Sequence, residues 1–526
     1  MQNEREEVRK KIWSIADNLR NSVDGWDFKQ YVLGMMFYRY ISENFANSIN
    51  KNEWDSGRKD YNYADSTDQE VQGWEQDRIN AKGFFIKPSE LFENVLKESK
   101  VDNQNLNEKL NNIFQNIMGS ARGTNNENNF SELFIDVDLN NNKLGSKVEE
   151  KNKRIRDLLI GISAMPLYHE ENKFDAFGDA YEFLMGMYAS NAGKSGGEFY
   201  TPPEVSELLT HLAINGKEKI NKVYDPACGS GSLLLKFKKI LGKDKVNKYC
   251  GQEINLTTCN LCRMNMFLHN INYNEFDIKH GDTLLDPDYD HWMEAENGEF
   301  DAIVSNPPYS TKWVGDDRQS LLSDERFSPA GVLAPKSKAD MAFVMHCLHY
   351  LSNNGTAAIV CFPGIMYRTG KEQKIRKYLI DNNHVDCVIS LASNLFYGTQ
   401  TPTCIMVLKK NKKDSNILFI DATKEFIKVK NSNKLTEQNI QNILNAYKER
   451  TDKQYFCRLV THAEVTEQKW NLSVDTYVEK EDTREKIDIK ELNAKIASTV
   501  EKINYLRSEI DQIIKEIESD SNDQSN

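Results

Sequence analysis

The sequence predicts an α/β protein: a doubly wound, Rossmann-like core with a helical N-terminal domain ahead of it and a coiled-coil-like helix behind it. Three observations carry this. The β-branched run Phe300-Asp301-Ala302-Ile303-Val304-Ser305 leads straight into Asn306-Pro307-Pro308-Tyr309. A second run, Lys222-Val223-Tyr224-Asp225, is followed by the tight turn Pro226-Ala227-Cys228-Gly229-Ser230-Gly231-Ser232 and then by leucines. Near the end, Ile489, Ile496, Ile503, Ile510 and Ile517 recur every seven residues. Short apolar runs closed by turn residues suit strands buried on both faces of a parallel sheet, and the heptad suits a helix with one apolar seam.

In chain order, Glu4 to Asn44 reads as helical, with Val8, Ile12, Ile15 and Leu19 on one face. A second helix around Phe28 to Phe45 is rich in Met and aromatic residues, which is a core stripe rather than a cofactor box. Further helices are predicted near Pro88 to Ser99 and Asn105 to Met118. The Asn-rich stretches 125–129 and 140–142 read as surface loops. The helical domain is expected to end near residue 165 and carries no catalytic cluster. Residues 189–197 read as a flexible connection that can close over bound ligand. Its Gly193-Lys194-Ser195 is not a phosphate loop, because the glycine required five positions earlier is Tyr188.

The core follows. Glycines let a backbone approach a ligand, and a helix N-terminus offers unpaired N–H groups. The Gly229-x-Gly231 spacing lacks the third glycine of the dinucleotide fingerprint, so a nicotinamide site is poorly supported. Glu253, after Lys248-Tyr249-Cys250-Gly251-Gln252, stands where an acid accepts hydrogen bonds from ribose hydroxyls; a solvated surface glutamate is the alternative. Asp282, after Ile278-Lys279-His280-Gly281, is placed to hold an adenine amine.

The fourth strand ends on an amide, a rigid diproline and an aromatic ring. An exocyclic amine conjugated to an aromatic ring is a poor nucleophile because its lone pair is delocalised. The Asn306 oxygen and the Pro307 carbonyl can accept both amine hydrogens, and Pro308 stiffens the loop so that these groups are positioned in advance. Tyr309 can stack on a base flipped out of its duplex. An ordinary strand-to-loop turn is the bland alternative. Taken together, the glycine turn, Glu253, Asp282 and Asn306-Pro307-Pro308-Tyr309 describe an S-adenosylmethionine-dependent methyltransferase.

These residues, with Gly178-Asp179-Ala180-Tyr181-Glu182-Phe183-Leu184 and Gly197-Glu198-Phe199-Tyr200-Thr201-Pro202, closely resemble the modification (methyltransferase) subunit of type I restriction–modification systems, HsdM. The similarity runs to Trp470-Asn471-Leu472. It implies DNA adenine-N6 methylation with S-adenosyl-L-methionine. It places Glu198, Phe199, Tyr200, Thr201, Pro202 and Pro203 along the cofactor pocket and Gly229, Ser230, Gly231 and Ser232 in its glycine loop. Asp225, Glu253 and Asp282 complete the cofactor set, and Asn306, Pro307, Pro308 and Tyr309 are the catalytic motif. No metal is expected. The implied partners are double-stranded DNA, a specificity subunit, a second copy of this chain and a restriction motor-nuclease subunit.

Beyond Tyr309 a long polar stretch to Lys338, with Trp313, Asp316, Asp317, Arg318 and Phe327, is expected to order around the flipped adenine. Helices at Asp340–Leu351 and Glu372–Asn382 alternate with strands at 355–362 and 385–391. Val385 and Cys404 are expected to begin an antiparallel pair at the sheet edge, and Leu395-Phe396-Tyr397 is either a base-facing aromatic group or plain packing. A short strand follows at Ile417 to Ile420. The C-terminal seam, with Leu492, Thr499, Leu506 and Ile513 at its second position, reads as a two-stranded coil or as a helix packed on its own domain. The resemblance tilts it toward the specificity subunit. The predicted division is thus 1–165 helical, 166–430 methyltransferase and 431–526 tail, with the long helix at 485–518.

With 526 residues, the chain exceeds a single core. No long apolar run suggests a membrane span, and the start lacks a signal peptide's apolar stretch. Nine scattered cysteines fit a reducing cytoplasm, and Cys259-x-x-Cys262 reads as a helix face rather than a zinc site. The net charge of −12 is awkward for a protein that grips DNA alone. Either a local basic patch suffices or another subunit carries most of the affinity. Two rivals remain: an amino-methyltransferase acting on RNA or protein glutamine, and a mainly structural DNA-clamping subunit.

Overall fold

The computed structural model describes Lys10 and residues 25–102, 104–124, 127–165, 167, 176–191, 201–287, 299–396, 400–430, 432–481 and 488–523. Among the described residues one sheet runs in the order Cys457–Val460 (β11), Ile417–Ala422 (β8), Val385–Leu391 (β6), Cys404–Lys409 (β7), Leu351–Cys361 (β5), Phe300–Ser305 (β4), Ile220–Asp225 (β1), Val246–Glu253 (β2), Phe276–His280 (β3). Strands β1 (Ile220–Asp225), β2 (Val246–Glu253), β3 (Phe276–His280), β4 (Phe300–Ser305) and β5 (Leu351–Cys361) are parallel. Their C-terminal ends therefore share one edge of the sheet, where ligands bind in open α/β folds.

The antiparallel pair expected from Val385 and Cys404 is present, as β6 (Val385–Leu391) and β7 (Cys404–Lys409). It is not at the edge. Strand β7 inserts between β5 and β6, and β8 (Ile417–Ala422) and β11 (Cys457–Val460) add beyond them. The helix Glu437–Glu449 buries Ile440 and Ile443, and the compact unit continues to Glu479.

Two apolar cores cover the sheet faces. One is built from the helices Pro203–Ile214, Ser232–Leu241 and Leu256–Leu268 and runs on into the N-terminal helices; the other is built around the helix Asp340–Tyr350. The helix Gly25–Asp55 is buried nearly all round from Tyr31 to Ser42, so its Met and aromatic stripe is core. Phe37 and Phe130 reach Phe267 at ring distances of 6.0 and 5.0 Å, tying the helical region to the sheet layer. The predicted helices near 88–99 and 105–118 are observed as Phe92–Ser99 and Leu106–Ser120. Asn129 is buried rather than in a surface loop, and its amide donates to the Tyr273 carbonyl. The face of Val8, Ile12, Ile15 and Leu19 lies outside the described residues.

All nine cysteines are free and buried, Cys259 and Cys262 among them on the helix Leu256–Leu268. Among the described residues no helix is long and apolar enough to cross a membrane. Residues 480–526 form a second unit. Its 35-residue helix, Ile489–Asp523, leaves Ile489, Leu492, Ile496, Ile503, Leu506, Ile510, Ile513 and Ile517 exposed, so the heptad seam is a surface.

Candidate active site

Strand β1 ends at Asp225, and the turn after it needs left-handed backbone: φ is +53° at Gly229 and +78° at Gly231. A Cβ at Gly231 would lie 2.6 Å from Cys262 Sγ, so only glycine fits there. The Gly229 N–H donates to Glu253 Oε2 at 3.0 Å and the Asn255 N–H to Oε1 at 2.9 Å. Glu253 thus fastens the glycine turn to the end of β2. Burial holds its carboxyl above the ordinary range, and these amide bonds pull it partway back. A carboxylate has about four acceptor positions, and the N–H groups of Gly229, Ile254 and Asn255 take three, so about one remains for a ligand. Asp282 uses Oδ1 to accept from the Leu284 N–H at 2.9 Å, while Oδ2 takes no donor from the described residues.

A cavity of about 750 Å³ lies at this edge. Glu253, Asp282, Asn306 and Pro308 all line it, from three different segments of the chain. Thr201 Oγ1 accepts from Asn306 Nδ2 at 3.2 Å, and the Tyr309 hydroxyl donates to Asn306 Oδ1. Tyr309 is half-buried and packs against the core, and it is not part of the cavity wall. Asp225 is fully buried beneath the wall, with Oδ1 accepting from the Ala227 N–H. Ser230 and Ser232 are buried and Gly229 sits behind Glu253. Pro202 and Pro203 begin the helix Pro203–Ile214, whereas Glu198, Phe199 and Tyr200 lie outside the described residues.

The N-6 DNA methylase family model matches residues 172–486, and the HsdM N-terminal domain model matches residues 8–162. The chain belongs to the type I restriction enzyme methylase subunits. It is 48% identical to the type I restriction enzyme MpnII methylase subunit of Mycoplasma pneumoniae, over 98% of this chain and 97% of that one. Identity to the MjaVIII methylase subunit of Methanocaldococcus jannaschii is 34%, over 69% of this chain and 64% of the relative. The crystal structure of the type I restriction-modification system methyltransferase subunit from Streptococcus thermophilus superposes with a TM-score of 0.81 at 34% identity, covering 90% of this chain and 100% of that one. This methylase subunit is a DNA adenine-N6 methyltransferase.

Residues 311–338 fold through three 3-10 turns and the bonds Trp313 N to Lys336 O at 3.0 Å and Ala339 N to Thr311 O at 2.8 Å. Arg326 is the anchor. Buried, it donates to the carbonyls of Thr283 and Leu284, each at 2.9 Å, and its guanidinium lies 4.7 Å over the Phe327 ring. The methylase subunit therefore presents Trp313, Val314 and Lys336 as a standing wall of the cavity.

Sequence reasoning missed several wall residues. Ile254, 65% exposed directly after Glu253, offers an apolar surface beside the acid. An exposed isoleucine at a strand end was a usable signal. Phe343 and Gln30 had none, because they come from helices elsewhere in the chain. Of Leu395-Phe396-Tyr397, Leu395 and Phe396 are core, in line with plain packing, and Tyr397 lies outside the described residues.

Proposed function

We propose that this methylase subunit binds S-adenosyl-L-methionine in the cavity between Glu253, Asp282 and Asn306, and that Asn306 to Tyr309 perform the transfer to a flipped adenine. The observation that carries this is the convergence of Glu253, Asp282, Asn306 and Pro308 on one cavity. The donor set fits the cofactor. Glu253 keeps acceptor capacity for a ribose hydroxyl, Asp282 Oδ2 is available for an amine, and Ile254, Leu284 and Leu285 supply apolar contact for a purine. When bound, the cofactor supplies an electrophilic methyl group.

Asn306 Oδ1 and the Pro307 carbonyl accept the hydrogens of the adenine amine and favour a nucleophilic nitrogen, Pro308 keeps the loop rigid, and the Tyr309 ring stacks on the base. Glu198 to Pro203 are assigned to the cofactor pocket, with Thr201 also holding Asn306. Asp225, Gly229, Ser230, Gly231 and Ser232 form the scaffold that presents Glu253.

The helical region to about residue 165 and the separate C-terminal helix are assigned to assembly. The exposed isoleucine and leucine seam suits a helix of a specificity subunit, with a second copy of this chain and a restriction subunit completing the complex. Sites on DNA are then chosen by that partner.

The test is methyl transfer from labelled S-adenosylmethionine to DNA lacking the modification, using the chain alone and with its co-purifying partner. Methyladenine formed only with the partner, and lost in Asn306→Ala while the complex stays assembled, is the expected result. Loss of assembly in Asn306→Ala would make that residue structural instead. Transfer by the chain alone would place sequence recognition on this subunit.

A further inference from the structure

A chain with formal charge −12 acts on a polyanion, so cations must be concentrated where the duplex lies. One exposed element meets that need. After β8 the chain forms a hairpin of β9 (Ile427–Val429) and β10 (Ser432–Lys434), with Asn433 opposite Lys428 and Lys434 opposite Ile427. Between Lys424 and Lys434 there are four lysines and one glutamate. That glutamate is turned inward: Glu425 Oε2 accepts from the side chains of Asn439 and Asn442 at 2.7 and 3.1 Å. Lys428, Lys430 and Lys434 are exposed, as are the apolar Ile427 and Val429.

Three-residue strands do not hold a hairpin together in water. This one is pinned. The Asn433 N–H donates to the Asn394 carbonyl at 2.9 Å, its side-chain amide donates to the Ser393 carbonyl at 2.8 Å, and Leu435 is buried behind it. Those carbonyls follow the end of β6, which runs parallel to β8 and in the same direction as β4. The hairpin therefore rises from the sheet edge that carries Asn306. Lys434 also acts electrostatically on Glu204, in the first turn of the helix that starts just after Thr201, the residue bonded to Asn306.

We propose that the β9–β10 hairpin is a DNA contact of the methylase, in which Lys428, Lys430 and Lys434 bind phosphates flanking the flipped adenine while Ile427 and Val429 pack on the neighbouring sugars. A basic hairpin with exposed apolar side chains suits a deformed duplex, where backbone and sugar surfaces become accessible. The proposal rests on DNA being the substrate and not on the roles given to Asn306 or Glu253.

The test uses the methylase assembled with its sequence-reading partner. Binding of a cognate duplex is followed by fluorescence anisotropy over a salt series, for the wild type and for Lys428→Ala/Lys430→Ala/Lys434→Ala. Affinity should fall at least about tenfold, and the slope of log K against log salt should become shallower by about 0.9 per lysine. S-adenosylmethionine affinity and complex size should not change, and the matching triple Lys→Arg variant should keep wild-type binding. Should the triple alanine variant fail to fold, Lys428→Glu alone carries the test through the same two readouts. Unchanged affinity and slope would overturn the proposal. So would dissociation of the complex with normal DNA binding by the remainder, which would make the hairpin a subunit contact.

Discussion

The Tyr309 hydroxyl donates its hydrogen bond to Asn306 Oδ1, the atom proposed above to accept from the adenine amine. On that assignment the base and the tyrosine hydroxyl share one oxygen, and the hydroxyl weakens it as an acceptor. Tyr309→Phe keeps the ring and removes the hydroxyl, so the KM for DNA should fall by about two- to tenfold, the worth of one neutral hydrogen bond. Tyr309→Ala also loses the stacking surface and should bind the base about tenfold or more weakly. Steady-state kinetics of both variants decide this. A Phe variant as poor as the Ala variant would show that the hydroxyl itself is required.

Thr201 determines which way that amide faces. Its Oγ1 accepts from Asn306 Nδ2 at 3.2 Å, which leaves Oδ1 on the side of the Tyr309 hydroxyl. Thr201→Val keeps the shape and removes the acceptor. We expect kcat to fall about tenfold through lost positioning, with KM for S-adenosylmethionine nearly unchanged and activity restored by Thr201→Ser. A large KM effect with normal kcat would assign Thr201 to the cofactor instead.

Asp225 makes stability depend on pH. Burial pushes its carboxyl up to about 7 from an ordinary value of 3.8, against the pull of the Ala227 N–H. Between these values the folded state keeps a proton that the unfolded chain has released. Stability from this group therefore falls as pH rises from about 4 to about 7 and is level above that. Asp225→Asn stays neutral and keeps the acceptor for Ala227. Its stability relative to wild type should climb across that window in urea titrations and then plateau. A constant difference would mean that Asp225 ionises as it does in water.

Arg326 holds the loop 311–338 onto the cavity. Arg326→Met would strand Asp324 and the carbonyls of Thr283 and Leu284, which the arginine now satisfies. The expected cost is about 3–5 kcal/mol, with new protease cleavage between Thr311 and Lys338. In the wild type this loop should resist protease equally with and without DNA. Protection that appears only on adding cognate DNA would support the view that the substrate orders it.

What the sequence determined by itself was whatever depends on neighbours in the chain. The run 300–305 is a buried strand because its apolar residues are continuous, and it stops because Pro307 and Pro308 cannot extend it. Glu253 and Asp282 were legible as acids at or just past strand ends, and the heptad from Ile489 to Ile517 as one helix. The tertiary structure decided the rest. Nothing local to Asn306 says that its two amide atoms are bound by Thr201, 105 positions away, and by Tyr309. Nor does any local pattern place β7 between β5 and β6, or add β11 to the sheet beyond residue 430. Periodicity and turn chemistry are properties of adjacent residues, whereas burial, strand order and the filling of a hydrogen-bond acceptor depend on which distant surfaces meet.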